Sequence, residues 1–207
     1  NNGKNETAIG LQYFGIGPNE TRIYENTSGK WVETNISTWS NDINAIAIGD
    51  ANNDGKNELI VGGYGNITRR LMMYENKSGG WVETNISGGP ESAIGARTVA
   101  IGDADNDGLN ETVIGLASTT NEVRMYKNTS GKWVETNVSD ESGGVFGVAI
   151  GDANNDGANE IAVALHYNSP YEIRMLKSAA LTIYLPLGTY VLRSTTPGFT
   201  DQLFTCA

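Results

Sequence analysis

A nine-residue acidic segment occurs three times in this chain, each time between short β-branched runs, and it limits the fold more than any other feature. The copies are Asp50-Ala-Asn-Asn-Asp-Gly-Lys-Asn-Glu58, Asp103-Ala-Asp-Asn-Asp-Gly-Leu-Asn-Glu111 and Asp152-Ala-Asn-Asn-Asp-Gly-Ala-Asn-Glu160. Oxygen-bearing side chains fall at positions 1, 3, 5 and 9: Asp50, Asn52, Asp54 and Glu58; Asp103, Asp105, Asp107 and Glu111; Asp152, Asn154, Asp156 and Glu160. Alternate residues of a tight loop point inward, so these oxygens can replace the water shell of a hard divalent cation. Calcium accepts roughly six to eight oxygens in flexible geometry, whereas magnesium resists full dehydration. Position 7 (Lys56, Leu109, Ala158) has only its carbonyl to offer, which accounts for its varied side chains. Gly at position 6 supplies the backbone freedom of a sharp turn. A plainer reading stands beside this one, because Asn and Asp favour turns without any metal. Three matches in register favour the cation, and about three calcium sites are expected.

The flanks separate these loops from other calcium loops. An EF-hand needs a bidentate Glu at position 12 and helices on both sides. Position 12 here is Val61, Ile114 or Val163, so neither an EF-hand nor a dockerin fits. Ala45-Ile-Ala-Ile-Gly49 precedes the first loop and Leu59-Ile-Val-Gly62 follows it, with close counterparts around the other two. Such runs read as buried strands, so each loop joins the two strands of a hairpin.

A second signature shares the period. Arg22-Ile-Tyr-Glu-Asn-Thr-Ser-Gly-Lys-Trp-Val-Glu-Thr-Asn-Ile-Ser37 returns at 72–87 and 124–139. Each unit therefore holds four short strands, and a period near 50 residues marks a β-propeller blade or a related stacked array. The expected fold is all-β, a propeller-like array of about four four-stranded blades in one domain over residues 1–177. Its units are about 1–38, 39–90, 91–140 and 141–177. Tyr24, Tyr74 and Tyr126, with Trp31, Trp81 and Trp133, are expected to pack between sheets; an aromatic ligand platform is the sharper alternative. Asn1-Asn-Gly-Lys-Asn-Glu6 aligns with 53–58, so the first unit lacks an opening strand and residue 1 is expected to be a processed or cut start. At the other end Glu172-Ile-Arg-Met-Leu176 replaces the Tyr strand and the Trp strand is lost. Residues 178–207 are read as two further strands (180–185 and 189–194) and a tail, a donor or closing element.

Net charge is −10, spread over the loops, and three calcium ions would offset six of those charges. Acidity without a basic stripe argues against nucleic-acid binding, and no run approaches the roughly 20 apolar residues of a membrane span. The lone Cys206 offers no internal disulfide; it reads as a tail residue, with an intermolecular disulfide as the lesser alternative. Ten Asn-x-Ser/Thr sequons occur, at Asn5, Asn19, Asn26, Asn35, Asn66, Asn76, Asn85, Asn110, Asn128 and Asn137. With 23 Asn and 32 Ser plus Thr in the chain, chance gives about four. Duplication of Asn-rich turns also inflates the number, but the reading expects occupied N-glycan sites and an extracellular or cell-surface location.

On these residues the chain resembles the FG-GAP/VCBS repeat family, the blades of integrin-α-like propellers. The Asp-x-Asn/Asp-x-Asp-Gly-x-x-Glu loops and the flanking Ala-Ile-Gly-Asp and Ile-Val-Gly strands carry the likeness, over about residues 1–177. The resemblance implies calcium in the hairpin between the first two strands of a blade, held by positions 1, 3, 5, 7 and 9. Two departures stand out: Glu at position 9, where the family more often has Asp, and about four units where seven are usual. Three functional classes follow. An enzyme fits least, since His166 is the single histidine and the clustered carboxylates belong to the loops; a calcium-dependent polysaccharide lyase is its surviving form. A carbohydrate- or protein-binding propeller module is the second class. The leading expectation is a structural or adhesive surface protein whose partners are copies of itself or other surface proteins, with a head-to-tail glycosylated filament as its specific form.

Overall fold

The computed structural model describes residues 6–11, 19–39, 42–64, 71–78, 80–87, 95–116, 121–141, 144–166, 172–177, 188–192 and 202–206. Every β-branched run flanking an acidic loop forms a strand, and no helix occurs among the described residues. The first sheet contains β1 (Glu6–Leu11), β2 (Asn19–Thr27) and β3 (Lys30–Trp39). The second contains β4 (Asp42–Gly49), β5 (Glu58–Tyr64), β6 (Leu71–Lys77) and β7 (Gly80–Asn85). The third contains β8 (Ala96–Gly102), β9 (Glu111–Leu116), β10 (Asn121–Thr129) and β11 (Lys132–Glu141). The fourth contains β12 (Gly144–Gly151), β13 (Glu160–His166) and β14 (Glu172–Lys177). Each is an antiparallel meander in chain order, the arrangement of a propeller blade. The two middle sheets have the expected four strands. The first has no described counterpart of β4, and the fourth has no described counterpart of β7, because no Trp-Val-Glu-Thr-Asn segment follows Lys177.

The sheets stack face to face through β1 on β4, β4 on β8 and β8 on β12. Three apolar layers lie between them. Ile43, Leu59, Val61, Met72 and Tyr74 form one, with Ala8 and Ile36 of the first sheet packed against it. Ile60, Met73, Ile114 and Tyr126 belong to the next, and Val113, Val123, Val145, Ile161 and Val163 to the last. Each innermost strand bulges at the same place, at Asn44, Arg97 and Phe146, and the Arg97 guanidinium lies 3.9 Å from the Phe146 ring centroid. The stacking runs from the first sheet to the fourth without the fourth packing back on the first, so the described residues form an open array rather than a closed ring.

The Tyr–Trp hairpins turn at Ser28-Gly29 and Ser130-Gly131, all four residues at positive φ, as a two-residue hairpin with the twist of its strands requires. The packing expected of the aromatics holds for Tyr74 and Tyr126, which are buried, and in part for Trp81 and Trp133. It fails for Trp31, which is 59% exposed on the first sheet. Each tyrosine hydroxyl donates to the Glu of the Trp-Val-Glu segment: Tyr24 to Glu33 at 2.6 Å, Tyr74 to Glu83 at 2.8 Å, Tyr126 to Glu135 at 2.6 Å. This bond explains why Tyr and Trp-Val-Glu recur together.

Among the C-terminal segments, β15 (Gly188–Leu192) pairs antiparallel with β16 (Gln202–Cys206). The segment expected as a strand at 180–185 lies outside the described residues. One point differs from expectation: the tail contains a strand, with Cys206 in it. The described neighbour of β15 is β16, and that of β1 is β2.

Candidate metal centre

All three acidic loops have one conformation, built by their own side chains. Asp50 Oδ1 accepts the Asp54 amide at 3.0 Å and its Oδ2 the Gly55 amide at 2.9 Å. Asn52 Oδ1 also accepts the Asp54 amide, at 2.9 Å, and Asp54 Oδ1 accepts the Lys56 amide at 2.9 Å. The same bonds join Asp103, Asp105 and Asp107 to the amides of 107, 108 and 109. They recur from Asp152, Asn154 and Asp156 to the amides of 156, 157 and 158. The chain turns through a left-handed residue at position 4 (Asn53, Asn106, Asn155) and again at Gly55, Gly108 and Gly157. Asn tolerates that region better than most residues, so position 4 has a conformational role besides any chemical one. Lys56, Leu109 and Ala158 each donate their amide to position 5, and the Lys56 and Leu109 side chains point to solvent.

Position 9 opens the second strand of the hairpin and is buried: Glu58 and Glu160 are 3% exposed and Glu111 is fully covered. Oε2 of Glu58 accepts the amides of Ala51 and Asn52 at 3.0 and 3.3 Å, and Glu111 does the same for Ala104 and Asp105. Glu160 Oε2 accepts the Ala153 amide at 3.1 Å. Burial pushes the Glu58 carboxyl up to about 7 and raises that of Glu111. A buried carboxylate is costly unless a cation or donors satisfy it. Glu111 Oε1 is buried, and its one close partner among the described residues is an ammonium in ion-pair rather than hydrogen-bond geometry.

The sequence reading missed the residue facing position 9 across the sheet. Glu160 lies opposite Lys177, and the same register sets Glu58 beside Glu75 and Glu111 beside Lys127. Carboxylate oxygens of Asp54, Glu58 and Glu75 come within 4.8 Å of one another, as do those of Asp103, Asp105 and Glu111. Three converging hard oxygen ligands, one of them buried, fit a calcium-type cation. Lys127 Nζ enters the second cluster, 2.7 Å from Asp105 Oδ2, 3.2 Å from Glu111 Oε1 and hydrogen-bonded to Asp107. Lys177 Nζ pairs with Asp156 and lies 3.3 Å from Glu160 Oε1. Hydrogen bonds from these lysines hold the Asp107 and Asp156 carboxyls below the usual range. Burial pulls the Lys127 ammonium down, but its hydrogen bonds to Asp105 and Asp107 and its pairing with Glu111 outweigh it and keep the pKa above the usual lysine range.

The loops also bind one another. Asn53 Nδ2 donates to the Asn110 carbonyl at 3.0 Å, while the Asn110 amide donates to Asn53 Oδ1 at 2.7 Å. Asn110 Nδ2 donates in turn to the Asp50 carbonyl at 2.9 Å. Asn106 and Asn159 repeat the pattern between the second and third loops, with Asn159 Nδ2 on the Asp103 carbonyl. Positions 4 and 8 of the loop are thus staples between neighbouring sheets.

Among the sequons, Asn26, Asn35, Asn76, Asn85 and Asn137 are exposed and Asn128 is half-buried, all on the outer hairpins of the first three sheets. Asn26, Asn76 and Asn128 stand opposite Trp31, Trp81 and Trp133. Asn26 and Asn128 use Oδ1 to accept the Gly29 and Gly131 amides. Asn19 lies in β2, and Asn5 and Asn66 are outside the described residues.

Meanders stacked in series, with an acidic hairpin loop at the same end of the second, third and fourth, define a blade-type repeat protein. The FG-GAP-like repeat family matches residues 52–114 and again 103–163, each match running from one acidic loop through the strand after the next. The chain belongs to this family. Comparison with curated proteins finds no match.

Proposed function

We propose that this chain is an extracellular, calcium-binding, N-glycosylated structural or adhesive surface protein, with no enzymatic activity of its own. The observation that carries the reading is the repeated loop, in which buried Glu58 and Glu111 each meet further carboxylates at one point. Asp50, Asn52, Asp54 and Glu58 would hold the cation in the first loop, with their counterparts in the other two and a carbonyl at position 7. The cation adds positive charge to the clustered carboxylates beyond what Lys127 and Lys177 bring to the second and third loops, and so fixes the hairpins and the sheet ends that the staples join. Glycans are assigned to the outer hairpins, at Asn26, Asn35, Asn76, Asn85, Asn128 and Asn137, away from the stapled loops. Chain-to-chain linkage into a filament is the specific form proposed, supported by the open array and the unmatched outer edge of β1 among the described residues. No helix among the described residues is long and apolar enough to cross a membrane.

Thermal unfolding in calcium and in EDTA tests the metal reading. A ligand bound only by the folded state adds about 2.7 kcal/mol at a hundred times its Kd, so calcium is expected to raise Tm by several degrees. Equal midpoints in the two buffers would sink it.

A further inference from the structure

We infer that the three loops are graded cation sites, set by the residue facing position 9: Glu75 is an added ligand that makes the 50–58 loop the tightest, and Lys127 and Lys177 are resident cations that weaken the other two. The inference rests on the proposed calcium reading and deepens it. At the first loop Asp50, Asp54, Glu58 and Glu75 supply four carboxylates, and Lys77 pairs with Glu75 from the outer side. At the second, Asp103, Asp105, Asp107 and Glu111 supply four, with the Lys127 ammonium among them. At the third, Asp152, Asp156 and Glu160 supply three, with Lys177 on two of them.

The position-9 carboxylates of the first two loops differ in what meets them. Glu58 is 3% exposed, and its backbone bonds all fall on Oε2. Carboxylate oxygens of Asp54 and Glu75 come within 4.8 Å of one of its own. Glu111 Oε1 instead faces Lys127 Nζ at 3.2 Å. Where the lysine is present it fills the place a metal would take; where Glu75 replaces it, that place gains a carboxylate. Asn52 Nδ2 donates to Glu75 Oε1 at 3.2 Å, orienting the carboxylate toward the loop. Lys77 also meets Glu75, at 2.9 Å, but its side chain is 58% exposed, and an exposed flexible ammonium yields readily to a divalent ion.

Calcium titration by isothermal calorimetry at fixed ionic strength tests this on the full chain, with Glu75→Lys and Lys127→Glu beside the native protein. Native protein should show one tight site and weaker ones. Glu75→Lys should weaken the tightest site by at least about tenfold, and Lys127→Glu should create a second tight site by a similar factor, given the charge reversal at contact distance. Circular dichroism in EDTA checks that each variant is folded. If a reversal prevents folding, Glu75→Gln and Lys127→Met should shift the same sites in the same directions by smaller factors. Three equal sites in the native protein, or affinities unmoved by either substitution, overturn the grading alone. No calcium heat at millimolar concentration overturns the calcium reading itself.

Discussion

Asn110 carries two sequence signals that compete for one atom. It begins an Asn-Glu-Thr sequon, and its Nδ2, where an N-glycan would be attached, donates to the Asp50 carbonyl at 2.9 Å. A glycan there would remove the staple and force sugar between two packed sheets. Asn26, by contrast, spends its Oδ1 on the Gly29 amide and is exposed. Glycopeptide mapping of the native protein should therefore find sugar at several outer-hairpin sites, Asn26 among them, and an unmodified Asn110. A glycan on Asn110 would show that the second and third sheets do not meet as described. Much of the loop was legible at this scale, because ligand spacing is local: Asp50, Asn52, Asp54 and Glu58 all lie within one turn of chain. Glu75, Lys127 and Lys177 were not, since their role depends on cross-strand register, and a residue some sixteen positions away reveals its neighbour only once the pairing is known. The competing use of Asn110 was hidden for the same reason, its partners lying 57 and 60 residues back.

Between sheets the decisive residues are small. A Cβ built at Gly115 in β9 would lie 2.2 Å from Val145 Cγ1 and 2.7 Å from Thr98 Cγ2, and at Gly62 in β5 it would lie 2.9 Å from the Ala96 Cβ. The repeated glycine that ends each Ile-Val-Gly or Val-Ile-Gly run is thus the contact surface on which the next blade's innermost strand rests. Gly115→Ala should cost about 1–3 kcal/mol through overpacking, read as a lower urea midpoint. Gly62→Ala, facing a smaller neighbour, should cost less; the reverse order would show that this approach does not limit packing. Strand positions were readable from β-branched runs bounded by glycine, and the hairpin turns from Ser-Gly. The exposure of Trp31 was not, because whether a sheet face is covered depends on the neighbouring sheet, and the Trp-Val-Glu-Thr-Asn segment is the same in covered and uncovered copies.

At the scale of the molecule, blades that touch only their neighbours in chain order form a one-dimensional stack, whose stability is near a sum of units and interfaces. The repeat period made that stacking legible; the open array and the β15–β16 hairpin lie outside the repeat, where no second copy exists for comparison. Deleting residues 179–207 and imaging the product by electron microscopy tests whether the C-terminal strands link chains. Filaments from the full chain that are lost on deletion support donation, and identical assemblies from both rule it out. The staples that join the loops bear on something slower than folding, the chemical ageing of the protein. Each depends on an amide that donates to one backbone group while accepting from another. Deamidation of Asn53 or Asn106 would set a carboxylate oxygen against the carbonyl its nitrogen now serves. The next residue in each loop, Asp54 or Asp107, has to be the acid for the proposed cation. One nitrogen atom separates the side chain that holds neighbouring blades together from the one that would drive them apart, and the working life of the stack is bounded by how long that atom stays in place.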